Sequence, residues 1–236
     1  MRVVVAGATG RTGGEVVAEA TERGHDVVGV AGSAGTIGGV DVHPAGDLPE
    51  LLADADALVD FTVPAASREH ARLAAAADVP YVVGTTGFGS GGLADLREAS
   101  ESTAVLKASN FARGVQALLR VVEAGVEALP DYDVELTETH HSGKRDAPSG
   151  TAKTLLEAVE EAREGEHRRA DSEAGVHVRR AGTVRGEHEL LLAGNDEVLT
   201  LSHRAESRRV FAAGAVDAAE WLADRKPGWY EFGDVL

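Results

Sequence analysis

The chain opens on an unbroken apolar run, Val3-Val4-Val5-Ala6 after Arg2, that passes directly into Gly7-Ala8-Thr9-Gly10-Arg11-Thr12-Gly13. β-Branched residues without alternation suit a strand buried on both faces. The glycines then require a tight turn. A helical pattern follows to about Arg23, Gly24-His25 breaks it, and Asp26 to Ala31 forms a second strand pattern. Strand, turn, helix and strand in this order make a βαβ unit, which commits the chain to a parallel sheet covered by helices. The turn brings backbone N–H groups and the positive end of a helix to the end of the first strand, where a pyrophosphate can bind. The spacing is G-x-x-G-x-x-G rather than the commoner G-x-G-x-x-G, so the βαβ context, more than the glycines, carries the dinucleotide reading.

The alternation continues. Gly32 to Gly39 reads as an irregular glycine-rich stretch, followed by a short strand near Val40 to His43 and a short helix over Leu48 to Ala53. Ala57 to Phe61 reads as a strand, with Pro64 stopping regular structure. Ser67 to Ala77 is an alanine-rich helix, and Tyr81 to Val83 a strand that enters Gly84-Thr85-Thr86-Gly87-Phe88. Leu93 to Ser102 is a helix, and Ala104 to Lys107 a strand that enters Ala108-Ser109-Asn110-Phe111. The pattern is α/β, a doubly wound parallel sheet whose ligands sit at the carboxyl ends of its strands.

Beyond Phe111 the pattern changes. Val115 to Leu129 is a long amphipathic helix ended by Pro130, Tyr132 to Thr139 alternates as a strand, and Thr151 to Ala162 is a helix. Arg163 to Ala174 is charged and reads as a mobile loop. Val176 to Arg180, Thr183 to Ala193 and Glu197 to Arg204 read as strands, the last two joined by the hairpin signal Gly194-Asn195-Asp196. These elements predict a second, α+β domain on an open mixed sheet. Phe211 to Leu222 is a final helix that returns to the first domain. The expected division is 1–112 with 213–236 for the dinucleotide, and 113–212 for substrate and oligomerisation.

Composition narrows the partners. A net charge of -16 makes nucleic acid and anionic membrane poor partners. Lysine occurs only at Lys107, Lys144, Lys153 and Lys226, against 39 Asp plus Glu, as expected of a protein working in concentrated salt, where repulsion is screened. The absence of cysteine excludes disulfides, thiolate nucleophiles and Cys-metal sites. No apolar run reaches the length of a membrane span, and the first residues are too short and glycine-rich for a signal peptide. A soluble cytoplasmic protein is expected.

The chemistry gathers in Glu135 to Lys153, ELTETHHSGKRDAPSGTAK. His140 can exchange a proton near neutrality, and Lys144 adds a positive charge. Asp146-Ala147-Pro148 reads as a helix entry, with Asp as cap and proline in the first turn. Ser149, Gly150 and Thr151 then offer N–H groups at a positive helix end, a site for a carboxylate or phosphate. A capped surface helix explains any one of these residues, but not the set. His140, His141, Glu138 and Asp146 could ligate a metal. Adjacent histidines lack the spacing that aims two ligands from one face, so no metal is expected.

Glu138 to Ala152, E-T-H-H-S-G-K-R-D-A-P-S-G-T-A, resembles the signature of the 4-hydroxy-tetrahydrodipicolinate reductase (dihydrodipicolinate reductase) family. The resemblance runs along the chain, through Gly7 to Gly13, Asp60-Phe61-Thr62, Gly84 to Phe88, Ala108 to Phe111, Gly186-Glu187-His188, Ser207-Arg208 and the closing Trp229 to Leu236. It implies a Rossmann-type domain and hydride transfer from NADH or NADPH to a cyclic dicarboxylate, with loss of water. It also implies a homotetramer built through the sheets of the second domain. His140 and Lys144 are then the implied catalytic residues, and His141, Gly150 and Thr151 the substrate-binding ones. Gly7, Ala8, Thr9, Gly10, Arg11, Thr12, Gly84, Thr85, Thr86, Ala108, Ser109, Asn110 and Phe111 are the implied cofactor contacts. The second strand ends in Val30-Ala31-Gly32-Ser33, without the acid that holds a ribose 2′-OH, which favours NADPH with both coenzymes used. A non-catalytic NADP-sensing regulator would need the first turn but not the central stretch. An oxidoreductase acting on a sugar or aldehyde is the other alternative.

Overall fold

The structure is a computed structural model that describes residues 1–163 and 174–236. Most of the expected Arg163 to Ala174 loop lies outside the described residues. The chain divides into two compact units, Met1–Phe111 with Arg208–Leu236, and Ala112–Ser207.

In the first unit an eight-stranded sheet is formed by β1 (Arg2–Ala6), β2 (Asp26–Ala31), β3 (Gly35–Ile37), β4 (Val40–Pro44), β5 (Ala57–Asp60), β6 (Tyr81–Val83), β7 (Ala104–Lys107) and β12 (Gly228–Glu231). The order is β12-β7-β6-β5-β1-β2-β4-β3, and every pairing is parallel except β3 with β4. The central strands are buried on both faces, as their continuous apolar sequence requires. On one face Val3, Val5, Val59, Val82 and Leu106 pack against α1 (Gly13–Glu22) and α7 (Arg209–Leu222). On the other, Val4, Leu58, Tyr81, Val83 and Val105 pack against α2 (Leu48–Leu52), α3 (Pro64–Ala77) and α4 (Ser90–Ala99).

Three local expectations are corrected. The Gly32–Gly39 stretch is not wholly irregular, because β3 forms there and pairs with β4 across Gly38 and Gly39, both at positive φ. Pro64 starts α3 instead of ending structure, since a proline in the first turn removes an N–H that has no helical partner anyway. β12, which the pattern of Trp229-Tyr230 did not reveal, adds an edge strand to β7.

In the second unit β8 (Asp133–His140), β9 (Gly175–Arg180), β10 (Glu187–Gly194) and β11 (Glu197–Arg204) form a mixed sheet in the order β11-β10-β8-β9, with only β8 and β9 parallel. Asn195 and Asp196, at φ 51° and 62°, form the two-residue turn between β10 and β11. Positive φ at both positions matches the strand twist, and Asn and Asp tolerate it. Two helices, α5 (Arg113–Ala128) and α6 (Gly150–Arg163), cover one face through Leu118, Val122, Val126, Leu155 and Val159.

Candidate active site

Along β8, Val134, Leu136, Glu138 and His140 are buried and alternate with more exposed residues. The period of a strand therefore turns Glu138 and His140 towards the helices, continuing the row of Val134 and Leu136. Register places His188 of β10 opposite Glu138, and His203 of β11 opposite His188. A carboxylate with no exposure needs partners to remain ionised. The Ser149 N–H donates to its two oxygens at 3.2 and 3.1 Å, and Arg180 Nη2, from β9, donates at 3.0 Å. Burial pushes Glu138 up, but the hydrogen bonds from Ser149 and Arg180 prevail and hold it below its ordinary value.

His140 Nδ1 lies 3.5 Å from Glu138 Oε2, and the His140 and His188 rings meet edge to face at 5.2 Å. His188 Nε2 is 3.2 Å from Ser149 Oγ, which also accepts the Ala152 N–H at 3.2 Å. Burial drives both rings down to about 4, opposed by the Glu138 charge; Lys144 lowers each further. Both imidazoles are thus neutral at neutral pH. A Cβ on Gly186 would come within 3.2 Å of His140 Nε2, so the glycine lets the backbone close over that ring.

Ser149, not Asp146, caps α6, because its hydroxyl reaches the N–H three residues on. The Asp146 carboxylate is drawn instead to Lys144 Nζ at 2.8 Å; burial pushes it up, but the hydrogen bond and charge of Lys144 prevail and hold it below its ordinary value. Arg180 also binds the carbonyls of Lys144 and Asp146, at 3.3 and 2.5 Å. It therefore ties the loop after β8 to the Glu138 carboxylate. His141 accepts the Lys144 N–H at its carbonyl, 3.0 Å away, and its ring is partly exposed. Gly150 and Thr151 form the first turn of α6, directly after the cap. The second unit thus brings His140, His141, Lys144, Gly150 and Thr151 into one segment running from β8 to α6.

Sequence alone suggests for His188 only a place facing the domain interface, and it does not single out Arg180. Gly186-Glu187-His188 stood out only as a segment, and the contact needs the β8–β10 register to be known. Glu138, His140 and His188 offer ligand atoms all within 4.8 Å of one another, close enough for a cation. The Arg180 guanidinium on Glu138 and the nearby Lys144 disfavour one electrostatically.

The first unit assembles the expected cofactor residues at the carboxyl ends of β1, β6 and β7. Gly7 lies at φ 80°, and Gly7 and Ala8 donate to Val30 O at 2.9 and 3.2 Å. A Cβ on Gly13 would meet Gly7 O at 2.1 Å, and one on Gly7 would meet Phe61 O at 2.6 Å. These close approaches leave a turn of bare backbone at the start of α1, the cradle that a pyrophosphate fits. Gly84, Thr85 and Thr86 follow β6 and Ala108 to Phe111 follow β7, with Phe111 packed between Phe61 and Phe232.

Comparison with known proteins agrees along the whole chain. Residues 1–111 match the family described as dihydrodipicolinate reductase, N-terminus, and residues 114–236 the family described as dihydrodipicolinate reductase, C-terminus. A 4-hydroxy-tetrahydrodipicolinate reductase of Natronomonas pharaonis is 74% identical, covering 100% of both chains. One of Haloarcula marismortui is 53% identical over 100% of this chain and 98% of the relative. A dipicolinate-bound dihydrodipicolinate reductase from Paenisporosarcina sp. TG-14 shares the fold at a TM-score of 0.81 and 23% identity, with 100% of this chain and 99% of that one covered.

Proposed function

The chain belongs to the dihydrodipicolinate reductase family, and from that premise we propose how its residues carry out the reaction. It is an NAD(P)H-dependent reductase of 4-hydroxy-tetrahydrodipicolinate in lysine and diaminopimelate biosynthesis. When bound, the reduced coenzyme would supply a hydride to the ring, and one proton would carry the ring hydroxyl away as water to leave tetrahydrodipicolinate.

In this reading the first unit holds the coenzyme, through Gly7 to Thr12, Gly84 to Thr86 and Ala108 to Phe111. The second holds the diacid. Gly150 and Thr151 receive one carboxylate at the positive end of α6, and His141 binds the ring beside it. Lys144 supplies the proton as negative charge develops on the reduced ring. His140, neutral in the free enzyme, is suited to accept a proton, and Glu138 then stabilises the imidazolium. The observation that carries this assignment is the convergence of Glu138, Ser149, Arg180 and His140 at the start of α6.

A tetramer through the open face of the β8–β11 sheet accords with that face, which carries Thr137, Leu191, Thr200 and the exposed Val198. Cytoplasmic action in concentrated salt accords with the charge of -16 and with relatives in halophilic archaea. Sedimentation at high salt should give the mass of four chains.

The test is oxidation of NADPH or NADH at 340 nm with freshly generated cyclic substrate, across a range of salt. His140→Ala and Lys144→Ala should each lower kcat by about 10²-fold or more. Unchanged turnover in Lys144→Ala would remove it from the mechanism, and inert wild-type protein at every salt would refute the whole reading.

A further inference from the structure

From β1 the strand order runs one way to β2 and β4 and the other way to β5, β6 and β7. The crevice of such a sheet lies where the order reverses, at the carboxyl ends of β1 and β5. A dinucleotide with its pyrophosphate at Gly7 then lays its other half over the loops that follow β5 and β6. The last residue of β5 is Asp60, a carboxylate with no exposure. The family resemblance sets Asp60-Phe61-Thr62 among the nicotinamide-side loops but gives this carboxylate no part of its own.

Both its oxygens are fully engaged. Oδ1 accepts the Thr62 N–H at 2.8 Å, the Thr62 hydroxyl at 2.6 Å and the Thr85 hydroxyl at 3.2 Å. Oδ2 accepts Tyr81 OH at 2.6 Å and pairs with His70 Nδ1 at 2.8 Å. His70, which no motif marks, is therefore the buried partner of this carboxylate. Thr85 Oγ1 accepts in turn from the Thr62 N–H at 3.0 Å and from Ser67 Oγ at 2.8 Å. A Cβ on Gly84 would lie 2.2 Å from the Phe61 ring, so the loops after β5 and β6 also touch directly. Through Phe61 O and Gly7 the same loop abuts the glycine turn. The donors converging on Asp60 come from both loops, from α3 and from β6. An apolar residue would fill the same space without locking Thr62 to Thr85.

We propose that Asp60 is a positioning residue for the reduced coenzyme: its buried carboxylate locks the loops after β5 and β6 into the floor that orients the nicotinamide half for hydride transfer. This rests on the coenzyme assignment above. The carboxylate touches no reacting atom and acts through Thr62, Thr85 and Phe61.

Asp60→Asn tests it, since an amide keeps the shape but turns one acceptor into a donor among donors. Full-length wild type and variant are compared at one salt concentration. The readouts are the melting temperature, KM for NADPH and for the cyclic dicarboxylate, kcat, and the isotope effect on kcat with NADPH deuterated at the transferred position. The Kd of NADPH is followed by its own fluorescence, which needs no turnover. We expect Kd and KM for NADPH to rise about tenfold and kcat to fall with a larger isotope effect, while the dicarboxylate KM stays within about twofold. Tyr81→Phe, which removes one hydrogen bond from Oδ2, should shift the same coenzyme constants by about two- to threefold. A folded Asp60→Asn with wild-type coenzyme constants overturns the proposal, as does a loss shared equally by coenzyme and dicarboxylate. Should Asp60→Asn not fold, an unchanged NADPH Kd in Tyr81→Phe overturns it. Wild-type protein that binds NADPH but reduces nothing refutes the assigned reaction instead, and the Kd comparison still decides on Asp60.

Discussion

Acidification should unfold the second unit through its two buried imidazoles. His140 and His188 lie at about 4 in the fold, against about 6.5 in an unfolded chain. Between these values the unfolded chain binds more protons than the folded one, so stability falls as the pH falls. Their cost to stability is nearly absent above pH 7 and complete below about pH 4. From pH 7 to pH 5 each ring removes about 2 kcal/mol, and the two together about 3–4 kcal/mol. Glu138 acts in a lower window. Its depressed value makes a contribution that is present above its ordinary range and lost only as the pH falls through the folded value, so it changes little between 5 and 7. His203, also lowered by burial, adds a change of the same sign as the histidines. The assay is urea denaturation followed by far-UV circular dichroism at pH 5 and 7 in one fixed high salt, for wild type and His188→Gln. Glutamine can keep an amide near the Ser149 hydroxyl without titrating. The variant should lose about 2 kcal/mol less than wild type over this range. Equal losses in the two proteins would refute the argument.

Three further outcomes follow from the geometry. Gly13→Ala sets a Cβ 2.1 Å from Gly7 O, and opening the turn by about 1 Å should weaken NADPH binding by about 10²-fold, measured by coenzyme fluorescence. Ser149→Ala removes the cap of α6 and the partner of His188, and should cost about 1 kcal/mol in denaturation while raising the dicarboxylate KM. Arg180→Met leaves Glu138 buried without its cation and should cost about 3–5 kcal/mol, a loss that Arg180→Met with Glu138→Gln should partly restore.

The legible parts of the fold were those whose pattern is local. β2, β6, β7 and β11 matched their apolar runs to the residue, and Asn195-Asp196 marked its turn because few residues accept positive φ twice in succession. β12 stayed hidden because a four-residue edge strand with partly exposed Trp229 and Tyr230 has no period to detect. Asp146 looked like a cap because the preference for Asp at that position is real, yet Lys144 two residues away competes for its carboxylate. In the candidate site, His140, Lys144 and the start of α6 stand close together in sequence and could be read as a group. Arg180 and His188 reach Glu138 only through strand register, across β9 and β10. Neither a residue's type nor its neighbours in sequence carries that information. The same holds for His70, whose partner sits ten positions earlier, on another element.

The division of the first unit has a consequence for synthesis. Val59, Val82 and Leu106 are covered on one face by α7, whose residues leave the ribosome after all of the second unit. A nascent chain that has just reached Phe111 therefore holds a half-clad sheet. At ordinary elongation rates it waits on the order of ten seconds for its missing helix. The second unit, continuous in sequence, can fold during that interval, before α7 docks.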